Sequence, residues 1–160
     1  MAGDQTPGLI RRQSAHDSTE TARRFRAAAQ GAGLTLFAQI DHRQNAIDVG
    51  MDLGPCLLLI FGNPRAGTPL MQKDPAWGID LPFKALIWTD ADGTWFGWND
   101  PQWLADRHGL GPAAESAVAA IRAGMDKLAG AGVPSLMLGG GLAILLGVGG
   151  VWRSRRKKAV

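Results

Sequence analysis

Two reactive side chains, His42 and Cys56, lie in the first half of this chain beside segments that are rich in apolar residues. A histidine titrates near neutral pH and can act as a general base, and a thiolate is a strong nucleophile. Cys56 opens an uninterrupted apolar run, so a small core residue is the simpler interpretation of it. One hypothesis is therefore a small enzyme or redox-responsive protein that uses His42 with either Cys56 or Lys84.

The sequence offers no further sign of a metal centre or catalytic motif. His16, His42 and His108 are far apart and lack the spacing of a metal-binding pair on one helix. A single cysteine excludes an internal disulfide and both Cys-x-x-Cys patterns. No Gly-x-Ser-x-Gly elbow, phosphate loop or dinucleotide fingerprint occurs. We therefore expect no metal and no cofactor, and we favour a protein that is not an enzyme.

A loop rich in glycine and proline supports a second hypothesis, ligand binding without catalysis. This GNP loop, residues 61–68, leaves an apolar run and enters a predicted helix. Its backbone amides and the Arg65 side chain could hold an anion or a carboxylate at the helix start. A turn shaped by glycine and proline explains the same residues without any ligand.

Aromatic residues cluster around a predicted hairpin, residues 84–98, and the short helix after it. Four tryptophans are involved: Trp88, Trp95, Trp98 and Trp103. Four large rings are more than a small sheet usually buries. Some of them could therefore cover a pocket or a subunit interface. Core packing is the alternative, because aromatic residues are ordinary strand residues.

The strands that must position these residues follow from apolar runs bounded by turn residues. They are predicted at 34–40, 56–61, 84–89 and 94–98, the last two joined by Asp90-Ala91-Asp92-Gly93. The run at 56–61 is apolar at every position, which is typical of a strand in the middle of a sheet. The expected fold is α/β (α+β), with a small mixed sheet of about four strands and flanking helices.

Helices are predicted from capping residues and from apolar periodicity. Asp17, with Glu20 three residues on, is predicted to cap a helix that runs to about Gln30, and Asp100 to cap a helix over 101–108. Short helical segments are expected over 42–49 and 68–73. An amphipathic helix over 112–129 carries an apolar stripe that is expected to dock on the domain: Val118, Ile121, Met125 and Leu128.

The C-terminal region predicts a membrane anchor. Residues 128–152 carry no charge, and the basic segment 153–158 follows them. Residues 133–152 supply the roughly 20 apolar residues that a bilayer-spanning helix needs. A buried hydrophobic hairpin or a glycine-rich tail is the alternative. The anchored protein is expected in the bacterial inner membrane.

Charge and the N-terminus bear on partners and orientation. Without the basic residues of the tail, acidic residues outnumber basic ones by two, so no nucleic-acid surface is indicated. Residues 1–13 lack the apolar core of an export signal, which favours a cytoplasmic domain. The basic tail favours the opposite orientation, because positive charge tends to remain in the cytoplasm.

Several blocks of sequence resemble the bacterial family called domain of unknown function 302. The blocks are Ile40-Asp41-His42, residues 57–71 (LLLIFGNPRAGTPLM), residues 80–84 (DLPFK), Asp92-Gly93 and residues 98–101 (WNDP). The resemblance covers about residues 14–110. It implies a small α/β domain that forms homodimers, with no settled activity, cofactor or substrate. The positions that match the family's polar pattern are His42, Asn63, Lys84, Asn99 and Asp100. The chain has Trp98 where the family tends to have tyrosine, and Cys56 where a threonine is common.

Together these observations predict a membrane-anchored, homodimeric module that binds or senses a small anionic or aromatic ligand. Its segments are a flexible 1–13, the family domain 14–110, an amphipathic helix and glycine-rich joint 111–132, a membrane helix 133–152 and a basic tail 153–160. The ligand is expected between the GNP loop and the tryptophan hairpin. The candidate ligand-binding residues are His42, Asn63, Arg65, Lys84, Trp98, Asn99 and Asp100.

Overall fold

The computed structural model describes residues 6–112 and 115–132 of the chain. Five strands form one sheet, in the order β1-β5-β4-β3-β2. The strands are β1 (Leu9–Ser14), β2 (Thr35–Asp41), β3 (Cys56–Gly62), β4 (Phe83–Asp90) and β5 (Gly93–Asn99). The helices are α1 (Ser18–Gly31), α2 (His42–Asp48), α3 (Pro64–Lys73), α4 (Pro101–Arg107) and α5 (Glu115–Gly132), with a 3-10 helix at Pro75–Ile79 between α3 and β4.

The α+β class with flanking helices is confirmed, but the predicted sheet is corrected in two respects. It has five strands instead of about four, and every neighbouring pair is antiparallel instead of mixed. The additional strand is β1, whose Leu9 lies opposite Asn99 and whose Ser14 lies opposite Thr94 of β5. The prediction that residues 1–13 are flexible is therefore wrong for residues 9–13, which belong to β1. Two arginines in β1 obscure its apolar pattern, and its partner lies about 85 residues away in sequence.

Helix α1 begins and ends where local chemistry predicts. The Asp17 carboxylate accepts a hydrogen bond from the amide of Glu20, which satisfies one of the free donors of the first turn. Thr21, Ala22, Phe25 and Ala29 form the buried stripe of this helix. Spacings of three and four residues place them on one face, which packs on the sheet.

The core lies between α1, α5 and one face of the sheet. Phe25 is fully buried, and its ring meets Phe61 edge-on at 4.9 Å and Phe96 at 5.1 Å between centroids. Leu59 and Ile87 are also fully buried on this face. Along β3, Leu58 and Ile60 alternate with the buried residues and are only half-buried, so the two faces of the sheet are covered unequally.

Helix α5 docks on the domain, as its apolar stripe predicted. Val118, Met125 and Leu128 are buried, Ile121 is partly buried, and α5 lies against α1 and α4. Two ion pairs join its polar side to the rest of the domain. Arg122 donates to Asp100 at 2.7 Å, and Arg12 of β1 donates to Asp126 at 3.3 Å.

The predicted membrane helix 133–152 and the basic tail 153–160 lie outside the described residues. Within residues 6–112 and 115–132, no helix combines the length and the apolar character that crossing a bilayer requires.

Replacing the central aromatic ring tests this core. Because Phe25 is fully buried between two other rings, Phe25→Ala is expected to lower the free energy of unfolding by about 3–5 kcal/mol, measured by urea denaturation. Ile79→Ala is the control, because the Ile79 side chain is 68% exposed. It should change stability by no more than about 0.5 kcal/mol. Equal losses in the two variants would show that the core lies elsewhere.

Candidate functional site

The structure separates the sequence-predicted site residues between two ends of the sheet. Asn63 follows β3 at one end, and Cys56 begins β3 at the other. Asp41 lies opposite Leu57, so His42 and Cys56 are at the same end. Strand β3 is about 20 Å long at roughly 3.3 Å per residue, which keeps His42 well apart from Asn63.

The side chains of Asn63, in the GNP loop, and of Lys84, in β4, form hydrogen bonds with nearby backbone groups. The Asn63 side chain accepts from the Arg65 amide at 2.9 Å and caps α3, while the Arg65 side chain is exposed. The Lys84 ammonium donates to the carbonyls of Asp80 at 3.1 Å and Pro82 at 3.3 Å. It therefore ties together the turn that leads into β4.

The candidates at the end of β5 are also engaged in the fold. Asp100 caps α4 by accepting from the Gln102 amide, and it pairs with Arg122 of α5. Trp98 is 2% exposed and packs beside Phe96 in the core, and its indole N–H has no hydrogen-bond partner among the described residues. Asn99, partly buried, lies opposite Leu9 of β1. Asp100 therefore joins two helices, and Trp98 fills the core.

A buried histidine and aspartate form a pair that the sequence did not reveal. The Nε2 atom of His108 lies 2.7 Å from the Oδ2 atom of Asp80, and the histidine ring stacks on Trp77 with centroids 4.0 Å apart. Arg107 approaches the same carboxylate at 3.5 Å. The side chains of His108 and Asp80 are 6% and 9% exposed, which leaves little room for a substrate. The pair therefore fastens the end of α4 to the turn before β4.

A cleft opens at the opposite end of the sheet, where α1, β2, α2 and β3 meet. Its volume is about 240 Å³, and it is lined by Ser18, Thr19, Ala22, Arg26, Asp41, Arg43, Pro55, Cys56 and Leu57. Helix α1 contributes Ser18 and Thr19 from its first turn. It also contributes Ala22, one turn further on, and Arg26, two turns further on. The remaining lining residues come from the end of β2, from the first turn of α2, and from Pro55 and the start of β3.

Two arginines and one aspartate are among the residues that line the cleft. Arg26 donates to the side chain of Gln39 at 2.9 Å, which orients its guanidinium, and Arg43 is exposed in the first turn of α2. Asp41 accepts from the Gln44 amide and caps α2. The net charge of the lining is therefore positive, while Ala22, Pro55 and Leu57 provide an apolar surface.

The environment of Cys56 keeps its thiol protonated. Burial raises the pKa of Cys56, and the nearby Asp41 carboxylate raises it further, because both disfavour a negative charge on sulfur. His42 lies at the same end of the sheet but does not line the cleft. A reactive thiolate needs a positive charge that acts on the sulfur, whereas the charged group that acts on Cys56 is the Asp41 carboxylate.

None of the predicted ligand-binding residues lines this cleft. Of the three residues in the enzyme hypothesis, Cys56 lines it, and His42 and Lys84 do not. Ser18, Ala22 and Arg26 recur every four residues along α1, so a helical-wheel pattern could have placed them on one stripe. The sequence has no signal that brings this stripe to Asp41 and Cys56. Within the described residues, no group of three or more His, Cys, Asp or Glu side chains is arranged to hold a metal.

Comparison with known proteins gives one family and a shared fold. The profile of the family described as Domain of unknown function DUF302 matches residues 10–128, a range that extends the predicted 14–110 at both ends. A crystal structure of an uncharacterized conserved DUF302 protein from Bacillus stearothermophilus matches with a TM-score of 0.71 at 18% identity. The match covers 79% of this chain and 99% of that chain, and at this identity it shows the common fold alone.

Two curated relatives share the name "Fluoride-specific ion channel FluC 1", one from Brucella suis biovar 1 and one from Brucella abortus biovar 1. Each is 42% identical to this chain over 125 residues, which is 78% of the chain. The matched region is 49% of the first and 46% of the second. The chain therefore spans about half the length of the curated relatives it matches.

Alkylation of Cys56 tests the protonation argument. Because the pKa of the thiol is raised, the folded protein should react with iodoacetamide more slowly at pH 7.5 than the same chain in urea, and the rate should climb as pH increases. Asp41→Asn keeps a good helix cap but removes the charge, so it should accelerate the reaction. Mass spectrometry follows the reaction, since the chain has one cysteine. Alkylation of the folded protein faster than that of the unfolded chain would instead favour the enzyme hypothesis.

Proposed function

The chain belongs to the family of domain of unknown function DUF302, and on that premise we propose that it is a ligand-binding module that holds a small organic carboxylate in the cleft beside α1. The observation that carries this proposal is the pair of arginines, Arg26 and Arg43, that line one cleft together with a few apolar residues. The ligand-binding role predicted from the sequence is thereby kept, but its location moves from the GNP loop to the other end of the sheet.

Charge and shape both support a carboxylate. Arginine pairs with a carboxylate through parallel N–H···O bonds, and such charge-assisted bonds are stronger than neutral ones. Asp41 leaves a single net positive charge in the lining, which suits one acidic group on the ligand. The hydroxyl groups of Ser18 and Thr19 add further donors. Ala22 and Leu57 would contact an apolar body behind the carboxylate.

The size of the cleft favours a small ligand. Its volume of about 240 Å³ lies below the roughly 300–1,000 Å³ that drug-sized ligands occupy. A short or single-ring organic acid fits this space better than a nucleotide. Binding without reaction agrees with the raised pKa of Cys56, because the protonated thiol is a poor nucleophile.

A membrane location completes the proposal. Residues 133–152 form an uncharged, apolar segment followed by a basic tail, and the curated relatives are named as ion channels, which act in membranes. We propose that this segment anchors the module, so that the cleft samples its ligand close to a bilayer. Because those relatives are named for fluoride, fluoride is the second candidate ligand.

Binding is tested with matched arginine variants of the full-length protein. Arg26→Met and Arg43→Met should each weaken binding of benzoate or propionate by about tenfold or more, as titration calorimetry measures, because each removes a charge-assisted contact. Arg24→Met is the control, since it removes the same charge from an arginine of α1 that pairs with Glu20 outside the cleft. Its affinity should equal that of the wild type.

The same titration separates the two ligand classes. If fluoride binds and neither carboxylate does, the ligand assigned to the cleft changes from an organic acid to fluoride. Equal weakening in all three variants would indicate a general charge effect, and no binding of any of these anions would refute the proposal for this cleft.

The anchor is tested by extraction. Full-length protein expressed in a bacterium should remain in the membrane pellet after washing at pH 11 with carbonate, because a spanning helix is held by apolar contacts that alkali does not disrupt. A chain ending at residue 132 should move to the supernatant with the circular dichroism of a folded domain. Recovery of full-length protein in the supernatant would refute the anchor.

A further inference from the structure

Four of the eight large apolar side chains that the described residues leave exposed lie within one short segment. Ile47, Val49, Met51 and Leu53 are 50%, 72%, 67% and 42% exposed, and they belong to the end of α2 and to the chain that leads into β3. We call residues 47–53 the apolar segment. Such a concentration of exposed apolar side chains commonly marks an interaction surface. The other four are divided among β2, the 3-10 helix and α4: Leu36, Phe37, Ile79 and Trp103.

The apolar segment lies at the end of the sheet where β3 begins. The carbonyl of Pro55, two residues beyond the segment, accepts from the amide of Thr89 at 3.0 Å. Thr89 in turn lies opposite Thr94 in the hairpin of β4 and β5. The Met51 amide donates to the Ala46 carbonyl at 2.9 Å, which holds the segment against α2. The cleft is at this same end, because Pro55 is one of its lining residues.

Helix α5 runs toward the same end of the sheet. Arg122 donates to Asp100, which directly follows β5 at the opposite end. One turn later, Asp126 accepts from Arg12 of β1, which lies opposite Phe96 in the middle of β5. The six residues that remain in α5 extend it by roughly 9 Å in the same direction, at about 1.5 Å per residue. Helix α5 therefore ends at the end of the sheet that carries the apolar segment and the cleft.

The position where α5 ends determines which part of the domain is nearest to the proposed anchor. Helix α5 ends at Gly132, and the uncharged run proposed as the membrane segment begins at residue 133. No spacer separates the two in the sequence. Chain connectivity therefore brings the apolar segment, and not the exposed apolar residues at the opposite end of the sheet, toward the bilayer.

We propose that the apolar segment is a second membrane contact, which inserts its side chains into the interface of the bilayer that holds residues 133–152. Interfacial segments bury apolar side chains about 5–10 Å into the boundary between headgroups and acyl chains, where water still reaches the backbone. The contact fixes the orientation of the domain, and it places the cleft beside the headgroup layer. This inference rests on the membrane anchor of the proposed function and not on the ligand.

The charges of the apolar segment indicate that lipid charge does not drive the contact. Its two charged residues are Asp48 and Asp52, and it has no basic residue. Asp48 accepts from the side-chain amide of Gln44 at 2.8 Å, and Asp52 is exposed and can remain at the level of the headgroups. Carboxylates gain nothing from anionic lipid, so apolar burial must supply the favourable free energy. Zwitterionic vesicles are therefore sufficient for a test.

Fluorescence of the full-length protein in phosphatidylcholine vesicles tests the contact. In a Cys56→Ser background, a polarity-sensitive label on Met51→Cys should lose most of its emission when the lipid carries a nitroxide quencher at the top of its acyl chain. Ile79→Cys is the matched control, because Ile79 is 68% exposed and Met51 is 67% exposed. Ile79 lies four residues before β4, at the opposite end of the sheet, so its label should keep its emission.

A charge within the apolar segment separates insertion from mere proximity to the bilayer. With the label on Val49→Cys in the same background, Met51→Asp should restore most of the emission, because a carboxylate resists transfer out of water. Ile79→Asp with the same label is the control and should leave the quenching unchanged. Circular dichroism checks that the variants are folded, and if Met51→Asp unfolds, the comparison of labels at positions 51 and 79 decides.

Vesicle flotation distinguishes failure of this inference from failure of the anchor. Protein that floats with the vesicles while the label at position 51 keeps its emission would overturn the inference and leave the anchor intact. Protein that does not float would refute both. A shift of emission to shorter wavelengths without quenching would show that protein covers the apolar segment, and it would overturn the inference. Equal quenching at positions 51 and 79, or quenching that a folded Met51→Asp variant does not reduce, would overturn it as well. Selective quenching at position 51, lost in Met51→Asp, supports it.

Discussion

Burial of three phenylalanine rings between α1 and the sheet is the interaction on which the rest of this structure depends. Phe25 of α1 is fully buried against Phe61 of β3 and Phe96 of β5, so one helix is joined to two non-neighbouring strands. Apolar burial of this size outweighs the weak intrinsic stability of a 14-residue helix. Once α1 is placed, its first turn and Arg26 are held against the ends of β2 and β3. The cleft follows from this placement.

Placing α1 and α5 on one face has consequences for the rest of the sheet. The covered face contains the fully buried residues Leu59, Phe61 and Ile87, whereas Leu58 and Ile60 on the alternate face of β3 are half-buried. At the edges, β1 carries two arginines, whereas β2 has no charged residue from Thr35 to Ile40 and is largely exposed. The apolar residues are thus distributed unevenly: one set is buried between the helices and the sheet, and a second set, which includes Leu36 and Phe37, is exposed at the edge strand β2.

The polar residues that stand out in the sequence serve the architecture more than a ligand. Asn63 and Asp100 cap helices, Lys84 donates to carbonyl groups of the turn before β4, and Asp80 holds His108 at the end of α4. Such roles require a particular side chain at a particular place, because an unpaired buried polar group is costly. A polar residue that looks functional in the sequence can therefore be essential to the fold without touching any ligand. The cleft instead uses arginines and hydroxyl residues that are individually common.

The sequence by itself determined the elements whose signals are local. The carboxylates of Asp17 and Asp100 cap helices as expected, the hairpin of β4 and β5 forms around residues 90–93, and the apolar stripe of α5 is buried. Capping, turn chemistry and apolar periodicity act over a few residues, so they can be recognised without the fold. Strand β1, the pairing of Asp80 with His108 and the meeting of Arg26 with Asp41 and Cys56 were decided only by tertiary structure. Each joins residues whose separation along the chain carries no periodic signal, and each exists because core burial brings distant segments together.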